Sequence, residues 1–290
     1  MLGMLTLRAP AKVNLTLEVL ARRSDGYHGI RSVMVPLELS DELTIEPNAR
    51  FSFACDRADL VGDRNLALAA LRTLETLPAI RMELHKRIPV EAGLGGGSSD
   101  AAAVLRAAMA GAFGSVPRAD WLSVARGLGS DVPFFLAGTA ALVEGTGERI
   151  TAAGAIPRWH ALIVKPPVAI STAGAYGDLD KRERPQRPRR GCVSVALLEA
   201  LQRSDFAAVE SMMQNDFHDL ITAKTPEVAV ALAALQSAGA TNALLAGSGS
   251  CVFTICPDLE RVERIRDNLA LASTYERYTT AFAATPDWRS

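Results

Sequence analysis

Between Ala9 and Leu20 apolar and polar positions alternate. Ala11, Val13, Leu15, Leu17 and Val19 fall on one face, and Lys12, Asn14, Thr16 and Glu18 on the other. That period of two predicts a half-buried strand whose polar face looks at water or a ligand. Ser24-Asp25-Gly26 carries turn chemistry, and Ile30 to Pro47 holds two further strand-like pieces. The spacing then becomes helical from Asp63 to Leu74, with Asp63 as N-cap candidate. A strand from Ile80 to Ile88 runs into a cluster of glycines. Beyond the cluster, Asp100 to Ala110 is built from strong helix formers, with Ser98 or Ser99 placed to cap them.

Arg118 to Gly127 reads as an amphipathic helix, and Gly129-Ser130-Asp131 opens a short apolar one. Ala140–Glu144 and Trp159–Lys165 look like strands. Helices follow at about 192–203, 205–221 and 226–237, and Asn242 to Cys256 reads as strand, tight turn, strand. A charged helix at Asp258–Leu269 and a strand around Tyr278–Ala283 close the order. Strands and helices mix without a regular βαβ alternation, so the expected class is α+β. A boundary is expected near residue 155, where Ala152-Ala-Gly-Ala-Ile-Pro157 interrupts the pattern, dividing the chain into 1–155 and 156–290.

Composition narrows the function classes. The 290 residues suffice for two domains sharing a cleft. The formal net charge of −1 gives no global field to recruit nucleic acid or an anionic membrane. Lys181 to Arg190 is basic and proline-rich, yet lacks interleaved aromatics and reads as an exposed loop. No apolar run approaches the length of a membrane span. Cys55, Cys192, Cys251 and Cys256 form no CxxC pair and no zinc spacing, which suits reduced thiols in a cytoplasmic protein. Nothing in the sequence fixes the oligomeric state.

The candidate chemistry lies in Pro89-Val90-Glu91-Ala92-Gly93-Leu94-Gly95-Gly96-Gly97-Ser98-Ser99. Glycines this dense remove Cβ atoms and permit φ > 0, so backbone N–H groups can converge on one point. Joined to a helix N-terminus, they offer unpaired donors and a positive dipole end to an anion, phosphate first. The Walker loop is excluded because no lysine lies between Gly93 and Arg106. The dinucleotide fingerprint fails because Ser98 stands where its third glycine belongs.

This stretch resembles the ATP-binding motif of the GHMP kinases. Two more patches are similar to motifs of that family in the same order: Pro10-Ala-Lys12-Val-Asn14-Leu and Leu245-Ala-Gly247-Ser-Gly249-Ser-Cys251-Val-Phe. The resemblance implies a ribosomal protein S5 domain 2-like N-terminal domain and a ferredoxin-like C-terminal domain, with ATP and an alcohol acceptor meeting between them. It implies Asp131 as general base, since Leu128-Gly-Ser-Asp131-Val-Pro matches the family's aspartate patch, and Lys12 as its cationic neighbour. A cation that close keeps a carboxylate ionised and steadies charge on a transferring phosphoryl group.

On the ATP side, Asn65 and Lys86 resemble positions that frame adenine. Asp25-Gly26-Tyr27-His28 resembles the signature of the branch that phosphorylates the 2-hydroxyl of diphosphocytidyl-methylerythritol on the non-mevalonate isoprenoid route. There Tyr27 and His28 would hold cytosine, Tyr176 would stack from the other side, Thr172 would flank it, and Asn14 would orient the polyol. Glu91 places a carboxylate near the phosphates, with its side chain expected to point away. Asp100 is expected to stabilise the helix dipole. No protein metal cage is apparent, so Mg2+ is expected to arrive with ATP, Ser99 being the one side chain suggested as ligand. The rival readings are another GHMP kinase, such as a homoserine or mevalonate-pathway kinase, and a nucleotide-sensing relative without catalysis.

Overall fold

The structure, a computed structural model, describes residues 3–24, 26–74, 79–113, 120–182 and 192–283. Asp25, the start of the expected helix at Arg118, and most of the basic 181–190 stretch lie outside the described residues.

The first sheet grows around one long strand. β1 (Leu5–Asn14) and β2 (Thr16–Arg22) run end to end, and β3 (His28–Pro47) returns antiparallel beside both. The two pieces expected between Ile30 and Pro47 are thus one strand of 20 residues. Its alternation is blurred because the register slips: Pro10 faces Ser40, but Lys12 faces Pro36. Proline cannot donate to a ladder, and a bulge at such a place is a regular solution. The displaced residues bond elsewhere. Leu39 N donates to Thr280 Oγ1 at 2.9 Å, Ala283 N donates to Pro36 O at 2.9 Å, and Leu37 bridges Phe282.

β4 (Ser52–Cys55), β5 (Ile80–His85), β6 (Ala141–Gly145) and β7 (Arg149–Ala152) complete this sheet with a later two-residue strand, β9 (Gln214–Asn215). Helices α1 (Leu66–Arg72), α2 (Gly96–Met109), α3 (Trp121–Leu128) and α4 (Val132–Ala137) gather beside it. α2 buries Ala101, Ala102, Ala103, Ala107 and Ala108, and residues this small allow close approach on several sides.

The second sheet joins β8 (His160–Lys165), β10 (Leu244–Leu245), β11 (Val252–Cys256) and β12 (Glu276–Ala281) in the order β10-β11-β8-β12, all antiparallel. With helices between β8 and β10 and α10 (Leu259–Asp267) between β11 and β12, this is the split βαβ order of a ferredoxin-like unit, as expected. The intervening helices are α5 (Thr172–Asp180), α6 (Val193–Gln202), α7 (Phe206–Met212), α8 (His218–Lys224) and α9 (Pro226–Ser237).

The single helix expected over 205–221 is broken. Asn215 donates to Leu245 O and Gly247 O at 2.8 and 2.7 Å and accepts from Phe217 N. β9 then pairs in parallel with Thr16 and Leu17 of β2. Both apolar clusters draw on each side of residue 155. One contains Leu7 and Leu105 with Leu162 and Val252, the other Val13 and Val35 with Ile163 and Phe253. Among the described residues, no helix is long and apolar enough to cross a membrane.

Candidate active site

A cleft of about 1600 Å3 opens where the first two β-strands, the glycine loop, α3–α4 and the start of α5 meet. The loop's geometry follows from what sits behind it. Gly93 has φ +77°, and a Cβ there would lie 2.0 Å from Ala246 O. Gly95 has φ +74°, and a Cβ there would press on the Phe135 ring at 2.8 Å. No L side chain fits either place. Cys251 N donates to Ala92 O at 3.2 Å, so the second glycine turn, Gly247–Gly249, is backed directly against the first.

The helix begins earlier than expected. Gly95 is the N-cap and α2 starts at Gly96, so Ser98 and Ser99 lie inside its first turn rather than capping it. The reason is the left-handed Gly95, which turns the chain into helical geometry without a side-chain cap. The first amides of α2 therefore have no intrahelical partner, and they face the cleft through Gly96, Gly97 and Ser98.

Pro89 to Gly93 and Gly95 to Ser98 line the cleft, whereas Leu94 and Ser99 are buried behind it. The Leu94 carbonyl accepts Lys12 N at 3.0 Å and so fixes β1 to the loop. Glu91 is exposed with φ 52°. Ser99 Oγ is buried with no hydrogen-bond partner, and Ser98 rather than Ser99 lines the cleft.

Lys12 and Asp131 come together, as the sequence suggests. Lys12 is 4% exposed, and its Nζ lies 3.6 Å from Asp131 Oδ2 and donates to Asn14 Oδ1 at 2.7 Å. Asp131 stands at the N-cap of α4 without a capping bond from its side chain. Its carboxylate is accordingly left for the cleft and for Lys12.

Lys86 lines the cleft wall, but its amine turns inward between Asp41 and Asp100. It donates to Asp100 Oδ2 at 2.7 Å and to Asp41 Oδ2. Asp41 also accepts Arg87 N and Ile88 N at 2.6 and 2.8 Å. Burial pushes the Asp100 carboxyl up to about 8, against the pull of Lys86. Asp100 thus lies past the first turn of α2 and pairs with Lys86, where a dipole contact had been the expectation. Asn65, also in the cleft wall, is the N-cap of α1 in place of Asp63, accepting Ala67 N and Leu68 N.

At the far end of the cleft, Tyr27 stands 70% exposed on the β2–β3 hairpin. His28 stacks on Tyr176, with centroids 5.6 Å apart and planes at 24°. Its Nδ1 is 2.9 Å from Leu20 O and its Nε2 2.9 Å from Asp180 Oδ1. Phe217 meets Tyr176 edge-on at 4.8 Å. Thr172 shares a 2.9 Å hydrogen bond with Ser248 of the second glycine turn. Asp180 and Phe217 are residues the sequence reading missed. Asp180 lies on a helix no periodicity announced, and Phe217 lies where one long helix was expected.

Comparison with known proteins follows this geometry. Residues 65–139 match the model of the GHMP kinases N terminal domain, and 197–273 that of the GHMP kinases C terminal. A 4-diphosphocytidyl-2-C-methyl-D-erythritol kinase from Pelotomaculum thermopropionicum is 38% identical over 90% of this chain and 92% of its own. The kinase of the same name from an Anaeromyxobacter species is 42% identical over 84% and 80%. A crystal structure of 4-(cytidine 5'-diphospho)-2C-methyl-D-erythritol kinase superposes with a TM-score of 0.78 at 33% identity, covering 96% of this chain and 99% of that one. Homoserine kinase from Cytophaga hutchinsonii shares the fold, with a TM-score of 0.67 at 19% identity. The chain is an ATP-dependent small-molecule kinase of the GHMP kinase family, and within that family it belongs with the 4-diphosphocytidyl-2-C-methyl-D-erythritol kinases.

Proposed function

We propose that this kinase transfers the γ-phosphoryl group of ATP to the 2-hydroxyl of 4-diphosphocytidyl-2-C-methyl-D-erythritol, on the non-mevalonate route to isoprenoid precursors. The observation that carries the chemistry is the Lys12–Asp131 pair, 3.6 Å apart, in the same cleft as the open amides of α2. Phosphoryl transfer asks the protein chiefly for alignment and charge stabilisation. The α2 amides and helix dipole hold the phosphates. Asp131 takes the proton of the acceptor hydroxyl as its oxygen bonds to the γ-phosphorus, and the bond to the β–γ bridging oxygen breaks to release ADP. Lys12 offsets the charge gathering on the transferring group.

Mg2+ comes with ATP in this reading. An ion of this kind is held mainly by phosphate oxygens and water, with few protein ligands. Ser98, which lines the cleft, would be the serine able to join it, and the ion would neutralise phosphate charge. Asn65 and the outer face of Lys86 frame the adenine side, and residues 1–155 supply most of the nucleotide site while 156–290 complete the acceptor side.

The aromatic end supports a base-bearing acceptor. Tyr27 and the Tyr176–His28 layer offer π faces to a pyrimidine, and a small amino-acid alcohol such as homoserine would leave them nothing to hold. The four cysteines are free, in keeping with a reducing, cytoplasmic setting. Assaying the purified protein on the diphosphocytidyl compound against homoserine tests the reading; turnover confined to homoserine would reverse it. Tyr27→Ala should raise the KM for the cytidyl substrate by about tenfold, the loss of one stacking contact, with ATP KM unchanged.

A further inference from the structure

We infer that Ser32 is a positioning residue for phosphoryl transfer: through Asn14 it sets where the Lys12 ammonium sits relative to Asp131. The inference rests on the reaction proposed above and concerns a residue with no contact to the cleft.

The argument is one of donors and acceptors. Lys12 can only donate, so the atom of Asn14 facing it at 2.7 Å must be the carbonyl oxygen. The Asn14 NH2 then points the other way and donates to Ser32 Oγ at 2.8 Å. Ser32 in turn donates to Thr16 O at 2.5 Å, a group that can only accept. The chain is therefore directed from end to end, and no member can reverse without leaving a donor against a donor. Ser32 is fully buried and Asn14 is 1% exposed, so water cannot substitute for a lost partner.

A second run of bonds holds the far end still. Thr16 Oγ1 accepts Val33 N at 2.9 Å and shares 2.7 Å with Ser194 Oγ, which donates to Glu18 Oε2 at 2.7 Å. Ser194 belongs to α6, so the C-terminal half helps clamp the strand that carries Lys12.

Removing the Ser32 hydroxyl leaves the buried Asn14 NH2 without its acceptor, so the amide is no longer held in place and swings its carbonyl oxygen away from Lys12 to find another partner. Lys12 then leaves its place beside Asp131. Shifts of this kind cost about 10- to 100-fold in rate, although the altered group touches no reactant.

The test uses Ser32→Ala, with Ser32→Thr as the variant that keeps the hydroxyl. Ser32→Ala should lower kcat about 10- to 100-fold with ATP KM unchanged, and Ser32→Thr should restore most of the rate. Should Ser32→Ala fold poorly, Ser32→Cys keeps the volume with a weak hydrogen-bonding group and should show the same fall. Full activity in Ser32→Ala overturns the inference, as does equal loss in Ser32→Thr. Wild-type turnover of the diphosphocytidyl substrate is measured alongside, so a failure of the functional reading is seen separately. Even then, crystal structures of the wild type and Ser32→Ala decide the matter: Asn14 turned and Lys12 displaced support it, and an unmoved pair overturns it.

Discussion

Lys12 and Lys86 flank the same glycine loop, and both amines are almost sealed from water. Lys12 has one carboxylate, at 3.6 Å and partly open to the cleft, plus one amide oxygen. Lys86 has two carboxyl partners, both buried, and donates to each of them. A buried ammonium needs compensation wherever it lies. What differs is where the compensating carboxyl lies: Asp131 is a quarter exposed, whereas Asp41 and Asp100 are buried. Lys12 sits beside a carboxylate that opens on the cleft, whereas Lys86 turns its amine inward and holds the end of β5 and strand β3 to α2.

The sharpest way to break that contrast is to remove each side of it. Lys86→Met would leave Asp41 and Asp100 facing each other in the interior. It should cost about 3–5 kcal/mol of stability, read by denaturant unfolding, because an uncompensated buried charge remains. Asp131→Ala should behave in the opposite way: kcat falls by at least ~10², while ATP affinity and the unfolding midpoint barely move. If both substitutions damaged stability alike, the division between the two lysines would be lost.

A smaller effect sharpens the structural side. Asp100 has its carboxyl raised from 3.8 to about 8, so between those values the folded protein holds a proton that the unfolded chain has released. The stability that this proton brings is complete below the unfolded value and fades as pH climbs through the folded one. Asp100→Asn should remove that slope. Its melting temperature, compared with the wild type from about pH 5 to about pH 9, should gain ground as pH rises.

Much of the site could be read from the chain because its parts are local. The alternation around Lys12 and Asn14 gave their shared face, and the glycines gave the turn and the following helix. What stayed hidden depends on partners far along the chain. Asp41 meets Lys86 across 45 residues, and no periodicity marks that meeting. Phe217 was hidden inside an apparent helix that Asn215 breaks by bonding to the second glycine turn. Asn65 displaced Asp63 as a cap, a choice between neighbours of nearly equal propensity. The helix start at Gly96 was missed since glycine is a poor helix former until a left-handed residue before it sets the direction.

The main chain of the first sheet and glycine loop is bonded to later parts of the chain at three places: Thr16–Leu17 to Gln214–Asn215, Pro36 to Ala283, and Ala92 to Cys251. Backbone bonds of this sort tie the strands around Lys12, and the glycine loop, to elements late in the chain. Lys12 and the glycine loop thus rest on a scaffold that neither half of the chain makes alone.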